Sequence, residues 1–309
     1  MSATQTVVTG AVDRSLQGKR FDVAGYVFAG LLLFSLLFTL AILAVLIGDQ
    51  LQRGLPVLIE RGVDFLTSPL SSNPANAGVA QGLLGTAVLA VLVSLIAFPV
   101  GILTAVYLEE YAPANALTRF IDINIRNLAG VPSVVYGLLG LAMFVALFQT
   151  IGFGNGRNIL AGGLTLAVLI LPLVIITSAE AIRAVPSAIR EAGYGIGASR
   201  WQVVRTLILP SAAPGILTGT VLALSRALGE TAPLILAGAI LGSFSTGGAI
   251  AEILAGPYTA LPIIVFDWAR KPQEEFRALT SAAILVLLAV TILANTVAII
   301  LRNRYDRRW

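Results

Sequence analysis

The sequence contains no cysteine and no histidine. Without cysteine there is no disulfide framework and no thiolate chemistry. Without histidine there is no imidazole to serve as base, proton shuttle or metal ligand. Charge is scarce as well: 12% of the 309 residues are Asp, Glu, Lys or Arg, against about 25% in soluble domains. No GxxxxGK(S/T) phosphate loop occurs, so any ATP used must be hydrolysed by another chain. What fills the sequence is apolar: 57% hydrophobic residues and a mean hydropathy of +0.90 mark an integral membrane protein.

A helix crosses the bilayer core with about 20 apolar residues. Six segments qualify, approximately Gly25–Gly48, Gly82–Leu108, Ala129–Phe148, Leu160–Thr177, Ala212–Ile240 and Ser281–Leu301. The expected fold is all-α, a polytopic membrane protein with six transmembrane helices. The first apolar run is longer than the core of a cleavable signal and follows a polar tail with Arg14, Lys19 and Arg20, which fits an uncleaved anchor. The organisation is a tail at 1–24, a membrane domain at 25–301 and a basic tail at 302–309, RNRYDRRW.

The net charge of +4 reports orientation before it reports a nucleic-acid partner, and none is expected. With the N-terminus inside, the inner segments (the two tails and the loops 109–128 and 178–211) hold 13 basic residues. The outer segments 49–81, 149–159 and 241–280 hold 6. This bias places both ends in the cytoplasm. The runs AIAEILAG and LPIIVFDW, within 242–280, are too short to cross the membrane. They read as surface segments with Trp268 as an interfacial anchor, or as a plain outer loop. Gly137, Gly140, Gly162, Gly163, Gly215 and Gly219 allow close helix approach within one bundle. Pro99 and Pro172 lack a backbone donor and should bend the second and fourth spans.

Between the fourth and fifth spans lies a polar loop of defined spacing, EAGYGIGASRWQVVRTLILP at 191–210. Pro186 breaks the chain and Ser187 can cap a short helix through Ile189, Arg190, Glu191 and Ala192. Gly193, Gly195 and Gly197 form a turn. Ser199 caps a second helix, with Trp201, Val204, Leu207 and Ile208 expected on one face. A helix–turn–helix knob of this kind can enter a groove on a soluble partner; the plainer reading is a re-entry loop.

A second feature lies inside the fifth span. Arg226 falls at the midpoint of Ala212–Ile240, where an arginine costs about 2.5–3.5 kcal/mol on insertion scales. Glu230 follows at i+4, within SRALGETAP at 225–233, with Ser225 and Thr231 adding hydroxyls. The pair either staples the bundle by mutual neutralisation or lines a pathway in which Arg226 attracts an anion and Glu230 tempers that attraction.

The 191–210 loop resembles the EAA loop of ABC importer permeases. Glu191, Ala192, Gly193, Gly197, Leu207, Leu209 and Pro210 follow that pattern, with glycine at 193 where alanine is usual and leucine at 207 where isoleucine is commoner. NLAGVPSVVYGLLGL (127–141), LALSRALGETAPLILAGA (222–239) and YTALPIIVFDWARKPQEEF (258–276) resemble more narrowly the A-type permease of phosphate-specific (Pst) ABC importers. The resemblance runs from about Gly82 to the end of the chain. It implies a type I ABC importer permease fold and a transport subunit, not an enzyme, of a prokaryotic cytoplasmic (inner) membrane, in contact with membrane lipid. It implies a C-type permease partner, two ATP-binding subunits, an external phosphate-binding protein and inorganic phosphate as substrate. No cofactor or metal is bound directly. Glu191, Ala192, Gly193, Gly197, Ala198, Leu209 and Pro210 would meet the ATPase, while Arg226, Glu230, Ser225 and Thr231 would line the substrate pathway. The rival readings are a sulfate or molybdate permease and an ATP-independent secondary transporter. An intramembrane enzyme is remote, with no converging pair of carboxylates evident.

Overall fold

The structure is a computed structural model and describes residues 23–239 and 250–306. The tail with Arg14, Lys19 and Arg20, the far end of the expected fifth span at Ile240, and the last three residues lie outside it. The chain falls into two units, Met1–Asp49 and Gln50–Trp309. The described part of the first is helix, the apolar beginning of α1 (Val23–Thr67). The second contains the packed bundle.

Among the described residues every regular element is helical. After α1 come α2 (Ala80–Tyr111), α3 (Ala116–Ala129), α4 (Ser133–Thr150), α5 (Ile159–Arg183), α6 (Ser187–Gly195) and α7 (Arg200–Gly229). Short helices α8 (Ala232–Leu236), α9 (Ile250–Ala255) and α10 (Leu261–Ala269) lead to α11 (Glu274–Asp306). Six of these helices, α1, α2, α4, α5, α7 and α11, are long and apolar enough to cross a membrane. The expected all-α architecture with six spans is therefore what the chain forms.

Helix ends differ from the hydropathy limits where local chemistry overrides hydropathy. The first helix runs past Gly48 to Thr67 through Pro56. Its one break is Gly62, with φ 49° and ψ −123°, a setting that a Cβ strongly disfavours. Most of the segment read as an outer loop at 49–81 is therefore helix. Ala129 belongs not to the third span but to α3, whose N-cap Asn115 accepts from Thr118 N–H at 2.9 Å. Pro132 separates α3 from α4, since proline disfavours helix in the residue before it. Helices α2 and α5 run on through Pro99 and Pro172.

The bundle centre is α2, α5 and α7, with Leu89, Val93, Ile170, Val174, Ala223 and Ala227 buried between them. Small residues set the spacing, because backbones without bulky side chains approach closely. A Cβ on Gly219 would overlap the Thr177 side chain of α5, and one on Gly140 would overlap Thr165. The glycines thus serve packing inside this one chain. Several hydroxyls within the spans return to their own helices. Thr104 donates to Val100 O at 2.7 Å, Thr165 to Ala161 O at 2.7 Å, and Thr177 to Leu173 O at 2.9 Å. Each removes an unpaired donor from an apolar setting.

A second core corrects one expectation. Trp268 is fully buried, not an interfacial anchor. Leu261, Ile264 and Trp268 form one stripe of α10 at helical spacing, and that stripe turns inward. The Trp268 ring lies 6.3 Å from Phe65 and 5.7 Å from Phe276, centroid to centroid. At the head of α10, Leu261 N–H donates to Thr86 Oγ1 at 2.9 Å, tying the segment to α2. Nearby, burial pushes the Tyr258 hydroxyl well above its ordinary pKa.

Candidate functional site

Two places carry the polar chemistry: the segment joining α5 to α7, and the end of α7. The first begins at Pro186, which precedes α6 without a side-chain cap, so Ser187 opens the helix instead of capping it. Glu191 and Ala192 are exposed on α6. Gly193 lies within α6, not in the turn, and is buried against Val203 and Leu207 of α7. A Cβ at 193 would sit 2.8 Å from Val203 Cγ2 and 2.9 Å from Leu207 Cδ1, which accounts for glycine where alanine is usual. The reversal is made at Gly197, with φ +82°. Its N–H donates to Tyr194 O at 2.9 Å, and Ala198 N–H donates to Gly193 O at 3.2 Å. Ser199 then caps α7 as expected: its Oγ accepts from Gln202 N–H, and Gln202 Oε1 accepts from Ser199 N–H at 2.7 Å.

Of the face expected on α7, Val204, Leu207 and Ile208 turn inward and Trp201 does not, Val203 taking the inward place instead. Val203, Val204 and Ile208 are buried, whereas Trp201 is 54% exposed. A π turn follows at Val204–Ile208, in which Leu209 N–H reaches back five residues to Val204 O. Leu209 and Pro210 follow, half-buried. Tyr194, Ile196 and Trp201 are left pointing outward at 44%, 85% and 54% exposure, an apolar tip on an otherwise polar segment.

The segment is fixed to the bundle by residues that the spacing argument did not single out. Arg190 donates through Nε and Nη2 to Glu110 Oε1 at 3.1 and 3.0 Å. It also donates through Nη1 to Val185 O at 2.6 Å and through Nη2 to Ile182 O at 2.8 Å. Glu110 is 5% exposed. Its neighbour Glu109 accepts from Arg183 Nε at 3.2 Å and pairs with Nη2 of the same guanidinium. Arg200 lies over the Tyr111 ring at 5.1 Å. The available signal was YLEEY at 107–111, two adjacent acids closing an apolar run.

At the second place, Arg226 is not at a helix midpoint. It lies in the last turn of α7, which ends at Gly229, and Glu230 is extended at φ −78° and ψ 124°. The helix stops because Gly229 and Pro233 flank the break, and α8 starts beyond Thr231. Arg226 Nε donates to Glu230 Oε1 at 3.3 Å, with the two side chains 43% and 17% exposed. Ser225 Oγ donates to Asn295 Oδ1 of α11 at 2.6 Å and lies 2.9 Å from Val221 O. Thr231 makes no capping bond. Asn295, a lone amide in an apolar span, is a second residue the sequence argument passed over. The neighbouring cavity between α2, α5 and α7 measures about 10 Å³ and has an apolar lining that includes Leu89, Val93 and Leu234, room for one water. Arg226 faces outward from the chain and not into that cavity.

Six apolar helices long enough to cross a membrane, joined by a polar segment with an apolar tip, define a polytopic membrane protein. Residues 97–309 match the family described as binding-protein-dependent transport system inner membrane component, and the chain belongs to that family. It is similar to the phosphate transport system permease protein PstA of Xylella fastidiosa, with 32% identity over 82% of this chain and 84% of the relative. It is also similar to the probable ABC transporter permease protein YqgI of Bacillus subtilis, with 39% identity over 55% of this chain and 56% of the relative. The chain spans less than two thirds of the length of the Bacillus subtilis relatives it matches. Its fold matches a chain of a bacterial alginate ABC transporter in complex with an alginate pentasaccharide-bound periplasmic protein. The TM-score is 0.62 at 15% identity, over 92% of this chain and 94% of that one.

Proposed function

We propose that this chain is the permease subunit of an ATP-driven importer and forms half of the translocation pathway for inorganic phosphate. The observation that carries the reading is the placement of Arg226. A guanidinium that is 43% exposed on one chain cannot enclose a substrate by itself, so its pathway is closed by a second permease. Arg226 supplies the attraction for the anion. Glu230, held on it at 3.3 Å, keeps that attraction weak enough for release. Ser225 and Thr231 offer hydroxyls at the same break. The phosphate assignment rests on the SRALGETAP and ALPIIVFDWARKPQEEF resemblances and on the PstA relatives.

The segment 187–210 docks the ATPase. Glu191 and Ala192 present the exposed side of α6, Gly193 seats α6 on α7, and Gly197 and Ala198 shape the tip. Leu209 and Pro210 return the chain to the membrane. Both termini and this segment lie in the cytoplasm of a prokaryotic cell, where ATP is available, in line with the distribution of Arg and Lys. ATP binding closes the two ATPase subunits, and the spans exchange between outward and inward openings as their populations shift. An external binding protein delivers phosphate and supplies most of the selectivity.

Deletion of this chain from its host tests the reading. High-affinity uptake of labelled phosphate is expected to be lost and to return on re-expression. Loss of uptake of another oxyanion, with phosphate uptake intact, would reassign the substrate.

A further inference from the structure

The YLEEY end of α2 holds both halves of the segment assigned to ATPase docking. Three observations carry this. Arg190, on α6, places its guanidinium on Glu110 and on the carbonyls of Ile182 and Val185, so one side chain joins α6, the end of α5 and the end of α2. Arg200, at the start of α7, lies over Tyr111 at 5.1 Å. The end of α2 is itself a π turn, Tyr107–Tyr111, closed by Ala112 N–H on Tyr107 O at 2.8 Å. The adjacent acids of this turn reach different partners, Glu109 to Arg183 and Glu110 to Arg190.

We infer that the Tyr107–Tyr111 turn receives the motion of the docking segment, and that the Glu110–Arg190 pair makes α6 and α2 move as one body. The inference rests on the docking role proposed above. The physical reason is that Glu110 is buried. If α6 moved without α2, a carboxylate with 6% side-chain exposure would be stripped of the guanidinium that pairs with it. Apolar packing reinforces the link, since Val106, Ile182, Val185, Val203, Val204 and Ile208 form one cluster beneath the pair. Helix α2 carries the movement into the bundle because it packs along α5 at the centre. Glu110 and Arg190 are therefore positioning residues: they touch no substrate and govern how ATP closure reaches the pathway.

The absence of cysteine permits a direct test. Cysteines replacing exposed Ala114 and Tyr194 are spin-labelled in the complete transporter. The distance between them is measured without nucleotide and with ATP held by a hydrolysis-deficient ATPase. The expected result is one unchanged distance in both states. With Glu110→Gln added, the distance is expected to shift or broaden on ATP binding, and substrate uptake per ATP hydrolysed to fall at least about tenfold. Arg190→Lys keeps the charge but cannot reach all three acceptors. It is expected to give the same loss, and it serves if Glu110→Gln does not assemble. A distance that changes with ATP in the unaltered pair, or an unchanged uptake-to-hydrolysis ratio in the variants, would overturn the inference. If the unaltered complex moves no phosphate, the substrate reading fails while the distance measurement still decides this one.

Discussion

Arg226 and Glu230 face each other across the end of a helix: Arg226 Nε donates to Glu230 Oε1 at 3.3 Å, and Glu230 already lies beyond the last helical residue, Gly229. A charge pair bridging a helix end is easier to rearrange than one stacked on a continuous helix, since only the extended residue has to turn. The relationship therefore suits a site that must hold and then release an anion. Arg226→Ala is expected to lower phosphate uptake by at least about tenfold, equivalent to about 1.4 kcal/mol, while the variant still co-purifies with its partners. Uptake within twofold of the parent would leave the pair as a structural staple only.

Gly197 turns the segment proposed to dock the ATPase, at φ +82°. An L-residue in the left-handed region costs about 1–2 kcal/mol, and a charge there would face the partner directly. Gly197→Glu is expected to uncouple ATP hydrolysis from transport or to lose the ATPase on purification. Unchanged uptake and co-purification would make 187–210 a simple connector.

Trp268 lies between Phe65 and Phe276, tilted by 50° and 54° to their rings, and its Nε1 has no hydrogen-bond partner. Trp268→Ala is expected to destabilise the protein by about 3–5 kcal/mol. Trp268→Phe is expected to cost much less, because a ring is retained and no hydrogen bond is forfeited. Thermal unfolding of the purified chain in detergent compares the two. Equal midpoints would mean that the ring contributes little.

Gly219 lies against Thr177 where α7 crosses α5. Gly219→Val is expected to push the helices apart and cost about 1–3 kcal/mol, visible as a lowered unfolding midpoint in the same assay. A midpoint equal to the parent's would show that the crossing has slack.

The features legible in the sequence are those set by composition and by contiguous residues. The six apolar helices follow from hydropathy alone, and the Ser199 cap with Gln202 follows from local spacing. Trp268 was misread because a short apolar run between prolines has two destinations, a membrane surface or a core. Only Phe65 and Phe276, from distant parts of the chain, decide between them. On α7, hydropathy does not separate Trp201 from Val203, and Val203 turns inward because Gly193 of α6 seats against it. Arg226 lies at a helix end and not at a midpoint because Gly229 and Pro233 stop the helix there. Arg190–Glu110 joins residues eighty positions apart, a pairing that no local pattern encodes.

The most direct measurement is uptake of labelled phosphate into proteoliposomes holding this chain, its permease partner, the ATPase and the binding protein, with ATP enclosed and sulfate or molybdate added as competitors. The account expects uptake that requires ATP and is indifferent to the competitors. Uptake that proceeds without ATP, or ATP-driven uptake of a different oxyanion in place of phosphate, would contradict it.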